Sequence, residues 1–250
     1  MSATWKRAIV VGASSGIGEA IARRLAGEGC RVALVARRAE ELARVAREID
    51  AAAGQPMASA HVHDVRQGEE APALFQSLCR DLGGLDLIVY AAGVMPRVAE
   101  DEYAFDKDRS IVEVNVLGAI AWINEAAQRF AAAGAGTIVG VSSVAGDRGR
   151  RGQPAYCASK AALDTYLESL RNRLRRFGVK VVTVKPGPVE TPMTRGLGRL
   201  PLMISADEAG RRILDAAGRG SVRAYVPATW RPIMWAIRHI PSLVFSRMNV

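Results

Sequence analysis

The chain has 250 residues, 49% of them apolar, enough to bury a large core within one α/β domain. No apolar run reaches membrane-spanning length, and three scattered cysteines (Cys30, Cys79, Cys157) suit neither a disulfide framework nor a metal site, so a reduced cytoplasmic setting and no metal are predicted. The net charge of +9 is spread over many segments without a recognition motif or aromatic platform, which argues against nucleic acid and for solvated helix faces and an anionic cofactor.

Residues 1–7 pass straight into a strand-like run at 8–11, an opening that predicts no secretory leader. Gly12-Ala13-Ser14-Ser15-Gly16-Ile17-Gly18 follows. Glycines let the backbone turn sharply and approach a phosphate. The helix predicted behind them (17–28) would add free N–H groups and the positive end of its dipole. Between a strand and a helix, such a loop predicts a dinucleotide site. Ile17, Ile21 and Leu25 recur every four residues and would face the sheet. The second strand, 32–36, ends in Arg37-Arg38 with no carboxylate at its tip. A carboxylate would repel a ribose 2′-phosphate, whereas guanidinium groups attract it, so this pair selects NADP(H). Glu40 and Glu41 lie in the next helix (39–52), within reach of Arg44. A weaker strand at 60–63 precedes Asp64-Val65, and another at 87–90 precedes Ala91-Ala92-Gly93. Tyr103 and Lys107, four residues apart on a loop-like stretch, read as a solvated coincidence.

A helix at 110–132 carries Asn115, and a strand at 137–141 leads to Ser142-Ser143, of which Ser142 reads as a cap. Tyr156 and Lys160 then stand one helical turn apart on one face. A free tyrosine has a pKa near ~10, which leaves about one in a thousand ionised at neutral pH. A neighbouring ammonium favours the phenolate and would make Tyr156 a general acid–base. Cys157 points about 100° away from it. Strands at 179–184 and 222–226 bring the total to about seven, the first of them followed by Pro186-Gly187-Pro188-Val189-Glu190-Thr191. Short branched runs alternating with amphipathic ones predict a single-domain Rossmann-type α/β fold, a doubly wound parallel sheet with helices on both faces. Residues 1–228 would form the cofactor-binding and catalytic domain, and 229–250 an amphipathic extension packed on it. In that extension Ile233, Ile237, Ile240 and Val244 form an apolar stripe that Pro241 should kink or end. Packing on the body or a partner subunit, a flap over a cleft, and a basic contact with a membrane surface are its three readings.

In order, the glycine loop, Asp64-Val65, Ala91-Ala92-Gly93, Asn115, Ser143, Tyr156-x-x-x-Lys160 and the Pro186–Thr191 run resemble the compact short-chain dehydrogenases/reductases over residues 5–228. The resemblance implies that Gly12, Ser14, Ser15, Gly16, Ile17, Gly18, Arg37 and Arg38 hold NADP(H), with Asp64 and Val65 flanking the adenine. Ala92 and Gly93 would lie by the cofactor ribose, and Pro186, Gly187, Val189 and Thr191 by the nicotinamide. Tyr156 would exchange the proton, Ser143 would hold the substrate oxygen, and Lys160 would lower the Tyr156 pKa and bond the ribose. Asn115 would bind a water linking Lys160 to solvent. Two positions depart from the pattern, Val11 and Ala91, and an apolar contact is expected to replace a polar one there.

The implied function is NADP(H)-dependent interconversion of a carbonyl and a secondary alcohol on a small, hydrophobic substrate. A catalytically silent NADP(H)-binding regulator or scaffold and a 3-oxoacyl thioester reductase are the alternatives. The tail lacks the Asp-Gly-Gly-type ending of many carrier-protein reductases, which weighs against the last. A homodimer is expected through the helices of Asn115 and Tyr156, which carry Ile120, Trp122, Leu163, Tyr166, Leu167 and Leu170. Arg148, Arg150 and Arg151 border the cleft by resemblance, and read as surface solvation with an acidic substrate as the alternative.

Overall fold

Ala8, Ile9, Val10 and Val11 are wholly buried and form most of the first strand, β1 (Arg7–Val11), in the computed structural model, which describes residues 5–198 and 200–248. The chain continues through α1 (Gly16–Gly27), β2 (Arg31–Ala36), α2 (Ala39–Ala53), β3 (Ala58–Val62), α3 (Ala71–Leu82) and β4 (Leu87–Tyr90). Next come α4 (Phe105–Val112), α5 (Gly118–Ala133), β5 (Thr137–Val141), α6 (Pro154–Leu174) and β6 (Lys180–Pro186). The last elements are β7 (Val189–Glu190), β8 (Ile204–Ser205), α7 (Ala206–Gly218), β9 (Arg223–Val226), α8 (Trp230–His239) and α9 (Ser242–Phe245).

Seven strands form one parallel sheet in the order β3-β2-β1-β4-β5-β6-β9. Strand residues alternate between two cores because successive side chains point to opposite faces. Ala8 and Val10 join Ile21 and Leu25 of α1, Leu42 and Val45 of α2, and Ile213 of α7. Ile9 and Val11 join Phe75 of α3, Trp122 and Phe130 of α5, and Leu163 and Leu167 of α6. The doubly wound sheet follows the expectation, and Ile17, Ile21 and Leu25 do face it.

Three expectations are corrected. The helix expected at 110–132 is two helices joined by a π turn at Glu113–Leu117, with Asn115 fully buried within it. Such a turn inserts one extra residue, which shifts the helical phase without a compositional signal. Trp122, Leu163, Leu167 and Leu170 are core residues, drawn in by the sheet, and are unavailable to a subunit interface. In the tail the inward residue of α8 is Met234, while Ile233 and Val244 of the expected stripe are exposed. Pro241 does stop α8, and a two-stranded ribbon, β7 with β8, adds an element the sequence reading lacked.

Candidate active site

Chain connections leave β1 toward β2 on one side and return to β4 on the other, so a crevice opens above the carboxyl ends of β1 and β4. The glycine loop crosses it. Gly12 has φ +91°, and a Cβ there would lie 2.4 Å from the Ala92 nitrogen. One at Gly18 would lie 2.2 Å from the Gly12 carbonyl oxygen. Neither position tolerates a side chain, and the loop sits flat against Ala91-Ala92. Behind it Ser15 precedes α1, and its side chain makes no capping bond and leaves the helical N–H groups free for an anion.

At the rim, Arg38 Nη2 donates to Ser14 Oγ at 2.8 Å and to Ser15 Oγ at 2.5 Å. No carboxylate pairs with Arg38 among the described residues, whereas Glu41 is taken up by Arg44 at 3.0 Å, as expected. Arg37 is exposed at the tip of β2. The Arg66 guanidinium and backbone amide hold the Asp64 carboxyl below its ordinary range. Val65 is buried behind it.

Tyr156 and Lys160 lie on one face of α6, with the ammonium 5.7 Å from the phenol ring centroid. Lys160 Nζ donates to the Val141 carbonyl at 3.0 Å. Burial depresses its pKa to about 8, against the pull of Asp164. Burial also raises the Tyr156 pKa, opposed by the neighbouring Ser143 hydroxyl and the Arg150 charge. The net shift of the phenol is thus upward, not the expected lowering, because desolvation outweighs its polar neighbours, and the ammonium donates to a carbonyl. Gly93 closes the floor, since a Cβ there would lie 3.4 Å from Asn115 Oδ1 and 3.6 Å from Lys160 Nζ.

The Asn115 side chain holds the Val94 backbone and Ser159. Its Oδ1 accepts from Val94 N at 2.8 Å, and its Nδ2 donates to Val94 O and Ser159 Oγ, each at 3.1 Å. The capping role falls to Ser143, whose hydroxyl accepts from Ala145 N at 3.1 Å, while Ser142 bonds the Lys160 carbonyl. Val11 and Ala91 do not touch through their side chains. They share a backbone bond, Ala91 N to Val11 O at 2.8 Å, and face opposite cores.

Pro186 ends β6, Gly187 follows it, and Val189 opens β7. Thr194 Oγ accepts from the Thr191 amide and donates to the Val189 carbonyl, which stiffens this loop. Trp230 packs directly on Gly187, a contact no local sequence signal announced. Arg148 turns away from the cleft to bond the Ile237, Arg238 and Ile240 carbonyls and to stack on Phe245, 4.3 Å from the ring centroid. Arg151 pairs loosely with Glu100, and Arg150 stays exposed. Tyr103 is 94% exposed and Lys107 pairs with Glu102, so that second tyrosine–lysine spacing builds no site.

Comparisons with known proteins bear on the family and the fold. Residues 6–199 match the family model described as short chain dehydrogenase. An oxidoreductase of Myxococcus xanthus is 35% identical over 231 residues, covering 91% of this chain and 89% of its own. A short-chain type dehydrogenase/reductase from Mycobacterium marinum superposes with a TM-score of 0.79 at 28% identity, over 88% of this chain and 93% of that one. ElxO, solved with NADP bound, superposes at 0.80 with 18% identity, over 89% and 97%.

Proposed function

The chain belongs to the short-chain dehydrogenase family, and on that footing we propose that it interconverts a carbonyl and a secondary alcohol with NADP(H). Convergence of Ser143, Tyr156 and Lys160 at one end of a phosphate-accommodating crevice carries this reading. The side-chain-free cradle at Gly12 and Gly18 fits a pyrophosphate, and Arg38 with Ser14 and Ser15 suits a 2′-phosphate. That ElxO was solved with NADP points the same way. Arg37, Asp64 and Val65 would line the adenine side, and Pro186, Gly187, Val189 and Thr191 the nicotinamide side.

When bound, the nicotinamide cofactor supplies or accepts the hydride. Tyr156, a neutral phenol at neutral pH whose pKa burial raises further, would give its proton to the developing alkoxide oxygen, and Ser143 would donate a hydrogen bond to that oxygen. Lys160 remains mostly charged at neutral pH and stabilises the phenolate left behind. Asn115 acts by fixing Val94, and so the backbone around Gly93.

Tyr156→Phe should keep NADPH binding, read by fluorescence titration, and lose ~10²–10⁴-fold in carbonyl-dependent NADPH oxidation. Undiminished turnover would refute the mechanism. A silent binder is the competing reading, and wild-type protein inert toward aldehydes, quinones and 3-oxoacyl thioesters would favour it.

The subunit contact we propose is a homodimer through the α4–α5 face. Val112 and Leu117 are exposed there, beside Ile120 and the Tyr166–Asn124 hydrogen bond of 2.9 Å.

A further inference from the structure

Lys185, at the end of β6, carries one of the most buried charges in the molecule. Its side chain is 2% exposed, as is that of Asp147, and that of Asp164 is 10% exposed. The ammonium bonds Asp147 Oδ1 and lies 2.6 Å from Asp164 Oδ2, and the Tyr225 hydroxyl on β9 donates to Asp147 Oδ2 at 2.9 Å. Burying such groups is costly, and apolar residues of similar size often serve stability as well or better. Stability is therefore a poor reason for the cluster.

Its placement is informative. Asp147 ends the 3₁₀ turn Val144–Asp147 that Ser143 caps. Asp164 lies one helical turn past Lys160, and Lys185 immediately precedes Pro186-Gly187. At Gly146 a Cβ would come within 2.7 Å of Asp164 Oδ2 and 2.8 Å of the Lys160 carbonyl carbon, so the Ser143 turn lies directly on α6. One ammonium thus joins three segments that each carry part of the site.

Resting on the oxidoreductase reading above, we propose that Lys185, Asp147 and Asp164 are positioning residues, which hold the Ser143 turn on the Tyr156–Lys160 helix and set the charge that Lys160 experiences. The groups around Lys160 are Tyr156 and Asp164 from α6, Asn115 from the π turn and the Val141 carbonyl from β5. Asp147 from the 3₁₀ turn and Lys185 from β6 complete the shell through Asp164. Among them Asp164 is the carboxylate that favours the protonated lysine, and Lys185 partly cancels it.

The test follows Lys160 in cofactor-free protein by its ¹³Cε shift, with all five lysines labelled and the signal assigned through Lys160→Arg. The pH profile of kcat/KM for carbonyl reduction is measured beside it. Asp164→Asn should lower the Lys160 midpoint and move the alkaline limb of the profile down by about one pH unit. Asp147→Asn combined with Lys185→Met removes one charge of each sign and leaves Asp164 facing Lys160 alone, so both readouts should rise. If Asp164→Asn does not fold, the charge-balanced double variant decides. Midpoints that stay at the wild-type pH in a folded variant, whatever the rate, overturn the proposal. A midpoint that moves in a protein with no carbonyl turnover upholds the cluster and refutes the oxidoreductase reading.

Discussion

Burial raises the Tyr156 pKa and depresses that of Lys160 to about 8, so the pair sits with phenol neutral and amine mostly charged at neutral pH. That is the state a proton donor needs for carbonyl reduction. Spacing along the helix placed the two groups in one pocket, but desolvation belongs to the folded environment and has no local signature in the sequence. Arg38 is the clearest residue-scale handle on cofactor choice. Removing a charge-assisted bond costs about 1.5–3 kcal/mol, roughly 10–150-fold in affinity. Arg38→Ala should weaken NADPH by that factor and leave NADH nearly unchanged in parallel fluorescence titrations. Equal losses for both cofactors would show that Arg38 only braces the Ser14-Ser15 loop.

The strands were readable because a parallel sheet covered on both faces needs nearly continuous branched apolar runs, as at Leu87–Tyr90 and Thr137–Val141. Helix faces were harder to assign. Apolar residues of α5 and α6 could serve a core or a partner, and Trp122 and Leu167 went to the core, while Leu117 at the end of the π turn is 56% exposed. The π turn was hidden because its single extra residue shifts the helical phase without changing composition. Arginines were equally ambiguous: Arg148 ties the tail carbonyls, a role set by three acceptors about ninety residues away. If the exposed α4–α5 face is the subunit contact, Leu117→Glu should convert dimers to monomers in light scattering. A wild-type protein that is already monomeric would remove the contact itself.

Across the whole molecule the surface is basic, yet much of its charge is locally neutralised, as in the Glu19–Arg23–Arg44–Glu48 group bridging α1 and α2. One ion pair joins distant parts of the chain, Arg7 with Asp86. Burial alone would raise the Asp86 pKa, but the Arg7 side chain and the Lys6 and Arg7 amides outweigh it, and the net shift is downward. A carboxylate with a depressed folded pKa contributes stability above its unfolded value, near ~4, and loses it as pH falls through the lower folded value. Asp86→Asn should therefore lower Tm at pH 7 and narrow the gap to wild type on acidification. A gap that stays constant into the acid range would show that the charge is irrelevant and only the hydrogen bonds count.

Trp230 occupies the space where Gly187 would carry a side chain, with its indole nitrogen 2.0 Å from that missing carbon. Helix α8 and the turn after β6 are consequently packed together at this point. Neither can gain bulk without the other giving way, so a displacement of α8 would be felt at Gly187.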